Sequence, residues 1–489
     1  MHNHKLTKYA AAAAVALAMA ACGSDGTSTA GTAEPDAGKP TTPSTGPTKN
    51  VVFFLGDGMG PTTVTATRIY KVGEDGELTM DTLPETGFVR TFSNNAQVTD
   101  SAPSMSAYMT GVKMNNEVIS MSPDTSAYDA GGKDYLSGAD STCPSGNGKP
   151  VTTLLELMKA AGYGTGVVTT TRITHATPAA TYAHICHRDG ENTIAAQLTP
   201  GGAGYNAALG DGVDVIFGGG RKHFLSSKND GGVRTDGRDL TKDLQKAGYS
   251  YASTRAQFDA LSASSKKVVG LFTSSHMSYD LDRNPADEPS LGEMTNKAID
   301  VLAAKKKGFF LMVEGGRIDH ALHETTARKA LQDTVAFDSA IRGAIDKLNT
   351  IDPGLKNTLI VVTADHDHTL VLNGYAKRTG PSSDANPGVL GLLKNYVTGA
   401  NAVDSTGAPF TIIGFGTGES RKPNRGALTD ADVYAPTYHQ EAVIPVAPGG
   451  ETHGGTDVFI GARGLGAERF TGTMDNTEVF GLIKQAVGL

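Results

Sequence analysis

The chain has 489 residues, 39% of them hydrophobic and 19% charged, proportions that exclude a disordered chain or a bundle of membrane spans. Its net charge of −8 and its lack of a basic cluster argue against nucleic acid as the main partner. Three cysteines are too few for a disulfide-built scaffold or a thiolate zinc-finger array.

Residues 1–21 have the form of an export signal. Lys5 and Lys8 precede an apolar run that ends at Ala21, and this run is shorter than the roughly 20 residues that span a bilayer. Small residues directly before Cys22 resemble a bacterial lipoprotein signal, in which the cysteine becomes an acylated N-terminus. The alternative is an ordinary secretory signal cut nearby. Both interpretations predict export to the bacterial cell envelope, in the periplasm or at the surface.

The segment after Cys22, up to residue 49, is predicted to be a flexible tether. It is rich in Gly, Ser, Thr, Ala, Pro and Asp and has no large apolar side chain, so it cannot bury enough surface to offset its ordering entropy. A tether behind an acylated cysteine would hold a folded domain, residues 50–489, at a membrane surface. Stable anchoring would need more than one acyl chain.

Buried-type strands alternate with amphipathic helices from residue 50 onward. The strands are predicted over residues 51–55, 166–170, 213–217, 268–272, 309–313, 358–363 and 458–460, and the helices over 61–70, 152–161, 289–304 and 322–348. This alternation predicts an α/β fold with a mainly parallel central sheet that helices cover on both faces. Residues 381–445 break the rhythm and are predicted to be an insertion.

Acidic residues and histidines lie just past the carboxyl ends of these strands, where open α/β sheets place their sites. The set consists of Asp57, Glu314, Asp319, His323, Asp365 and His366, with His453 in the loop before the last strand. Any one of them could be a helix cap or a solvated loop residue. As a set they favour metal binding, because several buried carboxylates without a cation would be costly. Mixed Asp and His ligands suit zinc, and oxygen ligands suit magnesium.

Ser101 is the candidate nucleophile. It begins an apolar, helix-compatible segment that ends at Gly111, and Pro103 fits the first turn of such a helix. Free N–H groups and the helix dipole at that end favour an alkoxide or a bound phosphate. The alternative is that Asp100 or Ser101 only caps the helix.

Taken together, these segments resemble the alkaline phosphatase family from about residue 51 to residue 464. The matching stretches are residues 55–59 (LGDGM), 99–102 (TDSA), 175–180 (HATPAA), 217–222 (FGGGRK), 313–320 (VEGGRIDH), 363–366 (TADH) and 451–453 (ETH). The resemblance implies hydrolysis of small-molecule phosphate monoesters, with two zinc ions and one magnesium ion as cofactors, and a possible homodimer.

The resemblance also implies a role for each matching residue. The first zinc would be held by Asp319, His323 and His453, the second by Asp365, His366 and Ser101, and the magnesium by Thr177 and Glu314, with Asp57 bridging from the second zinc. His368 would lie just outside the first zinc site. His175 and His320 stand where some members have Asp and Lys, whereas animal enzymes have histidine at both. The lost carboxylate should weaken the third site, which predicts activation by magnesium and an alkaline optimum.

Arg188 falls where the family keeps the arginine that clamps phosphate, and Asp100 matches the carboxylate that orients it. Ser101 would attack phosphorus and form a phosphoserine intermediate. A surface salt bridge is the alternative for Arg188. In an exported protein Cys143 and Cys186 are expected to pair and to brace the segment that holds Arg188, the alternative being two buried free thiols.

Two further functions remain open at this point. One is a phosphodiesterase or sulfatase on the same scaffold, against which Arg188 and the third-metal residues argue. The other is a lipoprotein that binds phosphate or metal without turnover. Ser101 argues against that function, because a binding protein needs no nucleophile between two zinc ions.

Overall fold

The computed structural model describes residues 49–229, 231–305, 307–420 and 426–489, which all belong to one compact unit. The predicted export signal, Cys22 and the tether up to residue 48 lie outside the described residues. No helix within the described ranges is long and apolar enough to cross a membrane.

A ten-stranded sheet forms the centre of the fold. Its strands, numbered in chain order, are β1 Asn50–Gly56, β2 Glu85–Arg90, β3 Gly164–Arg172, β4 Val215–Gly219, β5 Ser250–Ala252, β6 Val268–Leu271, β7 Phe309–Gly315, β8 Thr358–Ala364, β9 Val458–Gly464 and β10 Gly472–Asp475. Their spatial order is β10-β2-β9-β8-β1-β7-β3-β4-β6-β5. Only β9 runs antiparallel to its neighbours among these strands. The α/β fold with a mainly parallel sheet is therefore confirmed.

Helices surround this sheet. They are α1 Pro61–Val72, α2 Ser101–Thr110, α3 Leu154–Ala160, α4 Ala176–Ala179, α5 Glu191–Leu198, α6 Leu240–Lys246, α7 Arg255–Asp259, α8 Leu291–Ala303, α9 Arg317–His323, α10 Ala327–Ile351, α11 Asp430–Tyr434 and α12 Asn476–Val487. The apolar runs of β1, β7 and β8 are almost completely buried, as expected for central parallel strands with both faces covered.

The predicted helix over residues 322–348 is wrong at its start. Two helices, α9 and α10, occupy this region, and the chain turns between them at Thr325, whose φ of 55° is left-handed. The apolar pattern hid the break because Leu322, Ala327 and Leu331, on either side of it, are all fully buried. The earlier start of α9 at Arg317 places Asp319 and His323 on one helical turn.

Smaller sheets flank the central one. The strands Leu370–Leu372, Ile413–Gly418 and Ala442–Pro445 form a three-stranded sheet, two of whose strands lie within the predicted insertion at residues 381–445. Leu136–Ser137 pairs with Asp140–Ser141, and Asp367–His368 pairs with His453–Gly454. The last pairing matters most for function, because it brings His453 to the residues that follow β8.

Candidate active site

The carboxyl ends of the adjacent strands β8, β1 and β7 bring three carboxylates together. Asp57 follows β1, Glu314 lies near the end of β7, and Asp365 follows β8. All three side chains are fully buried. Because these strands are parallel neighbours, their ends lie on the same edge of the sheet.

The buried carboxylates lack enough protein partners of their own. Glu314 Oε1 and Asp365 Oδ2 are buried and accept no hydrogen bond in the described structure. Burial and the charge of Asp57 raise the pKa values of Glu314 and Asp365 well above the ordinary range. Burial lowers the pKa of His366, but the charges of Asp365 and Asp57 outweigh it and raise that pKa to about 10. Buried carboxylate oxygens without hydrogen-bond donors are stabilised by a nearby positive charge. The arrangement therefore fits a site for metal cations.

Of the four groups of described side chains that could each hold an ion, with ligand atoms within 4.8 Å of one another, three contain the predicted metal ligands. They are Asp319, His323, His368 and His453; Asp57, Asp365 and His366; and Asp57, His175 and Glu314. The sequence-predicted ligands thus converge on one region, and Thr177 joins them with its hydroxyl 3.4 Å from Oδ2 of Asp57.

Histidine and carboxylate pack closely in the first group. Nε2 of His323 lies 3.3 Å from Oδ1 of Asp319 and 3.2 Å from Nε2 of His453. The family resemblance predicts His368 just outside the ligands of the first zinc, whereas here its Nε2 lies 2.8 Å from the same Asp319 oxygen and belongs to the first group. On its other side His368 contacts Glu451 through Nδ1, which fixes the orientation of its ring.

Ser101 lies at the second group. It is the first residue of α2, and its Oγ is 3.1 Å from Nε2 of His366 and 3.4 Å from Oδ1 of Asp57. The side chain is buried, so the hydroxyl is held against these groups at a helix N-terminus. This contact joins the candidate nucleophile to the candidate ligands.

Asp100 occupies the cap position of α2, but its side chain makes no capping hydrogen bond to that helix. It forms an ion pair with Arg188 instead and accepts a 2.6 Å hydrogen bond from the backbone N–H of Glu117. The alternative of a simple helix cap therefore does not describe Asp100. Only 15% of the Arg188 side chain is exposed, so its pair with Asp100 is not an ordinary surface salt bridge.

The guanidinium of Arg188 also approaches His175, with Nη2 3.1 Å from the imidazole Nε2. Burial and the neighbouring Arg188 lower the pKa of His175 well below the ordinary range, so the imidazole is neutral. The rings of His175 and His320 lie 5.4 Å apart. His175 therefore links the third group to Arg188, and His320 packs against His175.

Sequence reasoning missed several residues at this site. Thr169 and Thr171 donate hydrogen bonds to Oε2 of Glu314 from the strand β3. The ring of His276 lies 4.2 Å from that of His320, and these two with His175 form a further cluster of imidazoles. The sequence motifs could not point to these threonines or to His276, since none of the contacts is local in sequence.

A disulfide joins Cys143 to Cys186, as predicted, so these two cysteines are not free thiols. Cys186 precedes Arg188 by two residues, and the backbone N–H of Arg188 donates a hydrogen bond to the carbonyl oxygen of Glu117. The covalent link and this hydrogen bond both constrain the segment that carries the arginine.

Replacing both cysteines by serine is expected to lower the free energy of unfolding by about 2–4 kcal/mol, because the bridge closes a long loop in the unfolded chain. The KM for the substrate should rise as the Arg188 segment loosens. Thermal denaturation at a fixed scan rate and steady-state kinetics check both effects. Dithiothreitol should change neither quantity in the double variant. An unchanged melting temperature in that variant would contradict a stabilising disulfide.

The family model described as alkaline phosphatase matches residues 48–489. The chain belongs to the alkaline phosphatase family. A membrane-bound alkaline phosphatase of Bombyx mori is 35% identical over 472 residues, covering 89% of this chain and 79% of its own length. The tissue-nonspecific alkaline phosphatase of Gallus gallus is 37% identical over 448 residues, covering 85% of this chain and 80% of its own length. Membership makes the chain a metal-dependent phosphomonoesterase.

Solved structures of the family share this fold. A mutant alkaline phosphatase of the Antarctic bacterium TAB5, described with Mg bound in its M3 site, superposes with a TM-score of 0.62 at 25% identity. The match covers 91% of this chain and 99% of that one. The Thermus thermophilus alkaline phosphatase matches with a TM-score of 0.64 at 23% identity, covering 91% and 93% of the two chains.

Proposed function

We propose that this chain is an exported alkaline phosphatase that hydrolyses phosphate monoesters through a phosphoserine on Ser101, at a site for two zinc ions and one magnesium ion. The observation that carries the proposal is the contact of the Ser101 hydroxyl with His366 and Asp57 at the centre of the candidate ligand groups.

The donor atoms support the metal assignment. Asp319, His323 and His453 offer the mixed nitrogen and oxygen set that zinc prefers. The second zinc site would use Asp57, Asp365 and His366. The third would use Asp57, Thr177 and Glu314, whose oxygen ligands suit magnesium.

The third site would be weak in this chain. His175 lies in the same group as Asp57 and Glu314, where some members of the family have a carboxylate in place of this histidine. A neutral imidazole suits magnesium less well than an oxygen ligand. The proposal therefore includes the histidine pair His175 and His320, as in animal enzymes, with activation by added magnesium and an alkaline optimum.

Two zinc ions, when bound, supply Lewis acidity that favours the alkoxide form of serine and stabilises the departing oxygen. The Oγ of Ser101 attacks phosphorus, and the ester bond to the alcohol breaks. Water then cleaves the phosphoserine and releases inorganic phosphate. Asp100 and its backbone contact with Glu117 hold Arg188 so that its guanidinium can bind two phosphoryl oxygens.

The proposed clamp predicts a preference for monoesters, since a diester offers one fewer charged oxygen to Arg188. We expect a higher kcat/KM for an aryl phosphate than for its methyl diester, with zinc and magnesium present at alkaline pH. Arg188→Ala should lower kcat/KM for the monoester by about 100-fold and for the diester by much less.

Arg238 provides a matched control, because it is half-buried, pairs with Asp243 and contacts none of the candidate ligands. Arg238→Ala should leave both rate constants within a factor of about two. Faster hydrolysis of the diester would favour the phosphodiesterase alternative. An equal loss of kcat/KM for both esters in Arg188→Ala would show that the arginine does not distinguish phosphoryl groups by their charge.

Export and a lipid anchor at Cys22 are also part of the proposal. Residues 1–21 support export, and so does the disulfide Cys143–Cys186, since disulfides persist in oxidising compartments. The partner in the cell would be a membrane of the bacterial envelope. A homodimer is proposed from the family resemblance.

A further inference from the structure

Three consecutive threonines lie near the end of the strand β3, beside the candidate third metal group. Thr169 lies opposite Glu314 in the register of β3 with its parallel neighbour β7. The hydroxyl of Thr169 donates a hydrogen bond to Oε2 of Glu314, and the hydroxyl of Thr171 lies 3.1 Å from the same oxygen. All three side chains are fully buried, so these contacts form in a place shielded from solvent.

The two oxygens of the Glu314 carboxylate therefore have different surroundings. Oε2 accepts the hydroxyl hydrogen bonds, whereas Oε1 is buried and has no hydrogen-bond partner among the described residues. The same carboxylate belongs to the third group with Asp57 and His175. Because a buried carboxylate oxygen without a donor is costly, Oε1 is the oxygen that is available to a cation.

The main chain at Gly316 packs against the other side of this carboxylate. A Cβ at Gly316 would overlap the methyl group of Thr171 and would lie 2.6 Å from Oε1 of Glu314. Glycine is therefore the residue that allows this close approach. Hydroxyl groups at Oε2 and the main chain next to Oε1 together restrict the rotation of the carboxylate.

Thr170, between the two buried threonines, has a different role because side chains alternate along a strand. Its Oγ1 accepts hydrogen bonds of 3.1 and 3.3 Å from the backbone N–H groups of Gly316 and Arg317. These donors lie at the start of α9, where Gly316 has no side chain that could cap the helix. The hydroxyl groups that reach Glu314 are thus those of Thr169 and Thr171.

We infer that Thr169 and Thr171 are positioning residues for the third metal site, because their hydroxyl groups hold Oε2 of Glu314 and so direct Oε1 to the cation. The inference rests on the proposed function, which assigns magnesium to the group that contains Glu314. Side chains that hold a ligand in place contribute to metal affinity without contacting the metal, and their loss costs about 10- to 100-fold in affinity. The orientation of Glu314 matters more in this chain, since His175 offers nitrogen where an oxygen ligand would suit magnesium better.

Valine and serine replacements separate the hydroxyl group from the shape of the threonine side chain. Thr169→Val keeps the branched shape without the hydroxyl, whereas Thr169→Ser keeps the hydroxyl. We expect the dissociation constant for Mg²⁺ to rise at least about tenfold in Thr169→Val and in its double variant with Thr171→Val, and to stay within about threefold of wild type in Thr169→Ser. Equilibrium dialysis of the zinc-loaded enzyme against Mg²⁺, at one buffered concentration of free zinc, measures the bound magnesium.

Thr165→Val is the matched control on the same strand. Thr165 is also fully buried, and its hydroxyl lies 3.4 Å from Oδ2 of Asp214 near the opposite end of β3. This variant should lower the melting temperature, as Thr169→Val should, and leave the dissociation constant for Mg²⁺ unchanged. In Thr169→Val the magnesium concentration that gives half-maximal turnover should rise, while kcat at saturating magnesium stays within about twofold of wild type.

A dissociation constant that stays at the wild-type value in Thr169→Val and in the double variant would overturn the inference. An equal weakening in Thr169→Ser, or a kcat lowered equally at every magnesium concentration, would do the same, since either result would point to a role in packing alone. All of these results leave the proposed function standing. A wild-type enzyme that binds no magnesium beside its zinc ions would instead overturn both the inference and the magnesium site of the proposed function.

Discussion

Ser101→Ala is expected to lower kcat for aryl phosphates by at least about 10⁴-fold, the order of loss seen when a covalent nucleophile is removed. The reason is the position of its Oγ, which lies 3.1 Å from His366 and is the buried hydroxyl at the start of α2. Steady-state kinetics with saturating zinc and magnesium measure the effect, and metal analysis of the purified variant shows whether the ligand groups survive.

Ser106 provides a control in the same helix. Its hydroxyl accepts a 2.9 Å hydrogen bond from the backbone N–H of Ser120 and contacts none of the candidate ligands. Ser106→Ala should keep kcat within the same order of magnitude while losing some stability, about 1 kcal/mol. Turnover that persists undiminished in Ser101→Ala would rule out the phosphoserine mechanism.

Removal of metal is expected to abolish turnover. Exhaustive chelation should lower kcat to the detection limit, and zinc with magnesium should restore it, because the buried oxygens of Glu314 and Asp365 then regain their cations. Asp365→Asn should prevent this recovery by weakening the second zinc site. Magnesium alone should not restore activity, since the histidine-rich group suits zinc.

The stability of the metal-free protein should also depend on pH. Glu314 and Asp365 have raised pKa values without metal, so ionising them in the folded state costs free energy. Their contribution to stability is therefore lost as the pH rises from the ordinary carboxylate range toward those raised pKa values. Metal binding requires the ionised forms, so the stability gained from metal should grow over the same interval.

Thermal denaturation at several pH values between 5 and 8 measures this dependence. The difference in melting temperature between the metal-loaded and metal-free proteins should widen as the pH rises. A difference that stays constant or narrows would contradict an uncompensated carboxylate cluster in the metal-free protein. Asp384 lies outside the cluster and on the surface, so Asp384→Asn should leave the pH dependence unchanged.

The central strands could be predicted from sequence because full burial makes them continuous apolar runs, as in β1 and β8. The strands β2 and β10 were missed, since exposed positions interrupt their apolar pattern. The break at Thr325 was missed because the residues on both sides of it are buried in the same way. Periodicity reports burial, and burial alone does not show where a helix ends.

The convergence of the acidic residues was predictable because parallel strands end at one edge of the sheet, which brings Asp57, Glu314 and Asp365 together. Thr177 and Arg188 were assigned only through the family resemblance, since nothing in their own surroundings distinguishes them. His276 carried no signal at all. Its contact with His320 depends on how the loop after β6 folds, and a distance of this kind is not encoded in local sequence.

The central claim is that Ser101 carries the phosphoryl group during turnover. Rapid acid quenching of the metal-loaded enzyme with a labelled phosphate monoester, followed by peptide mapping, tests it most directly. The account predicts label on the peptide that contains Ser101, and no label in Ser101→Ala. Label on another residue, or turnover of the monoester with no covalent label at any quench time, would contradict the account.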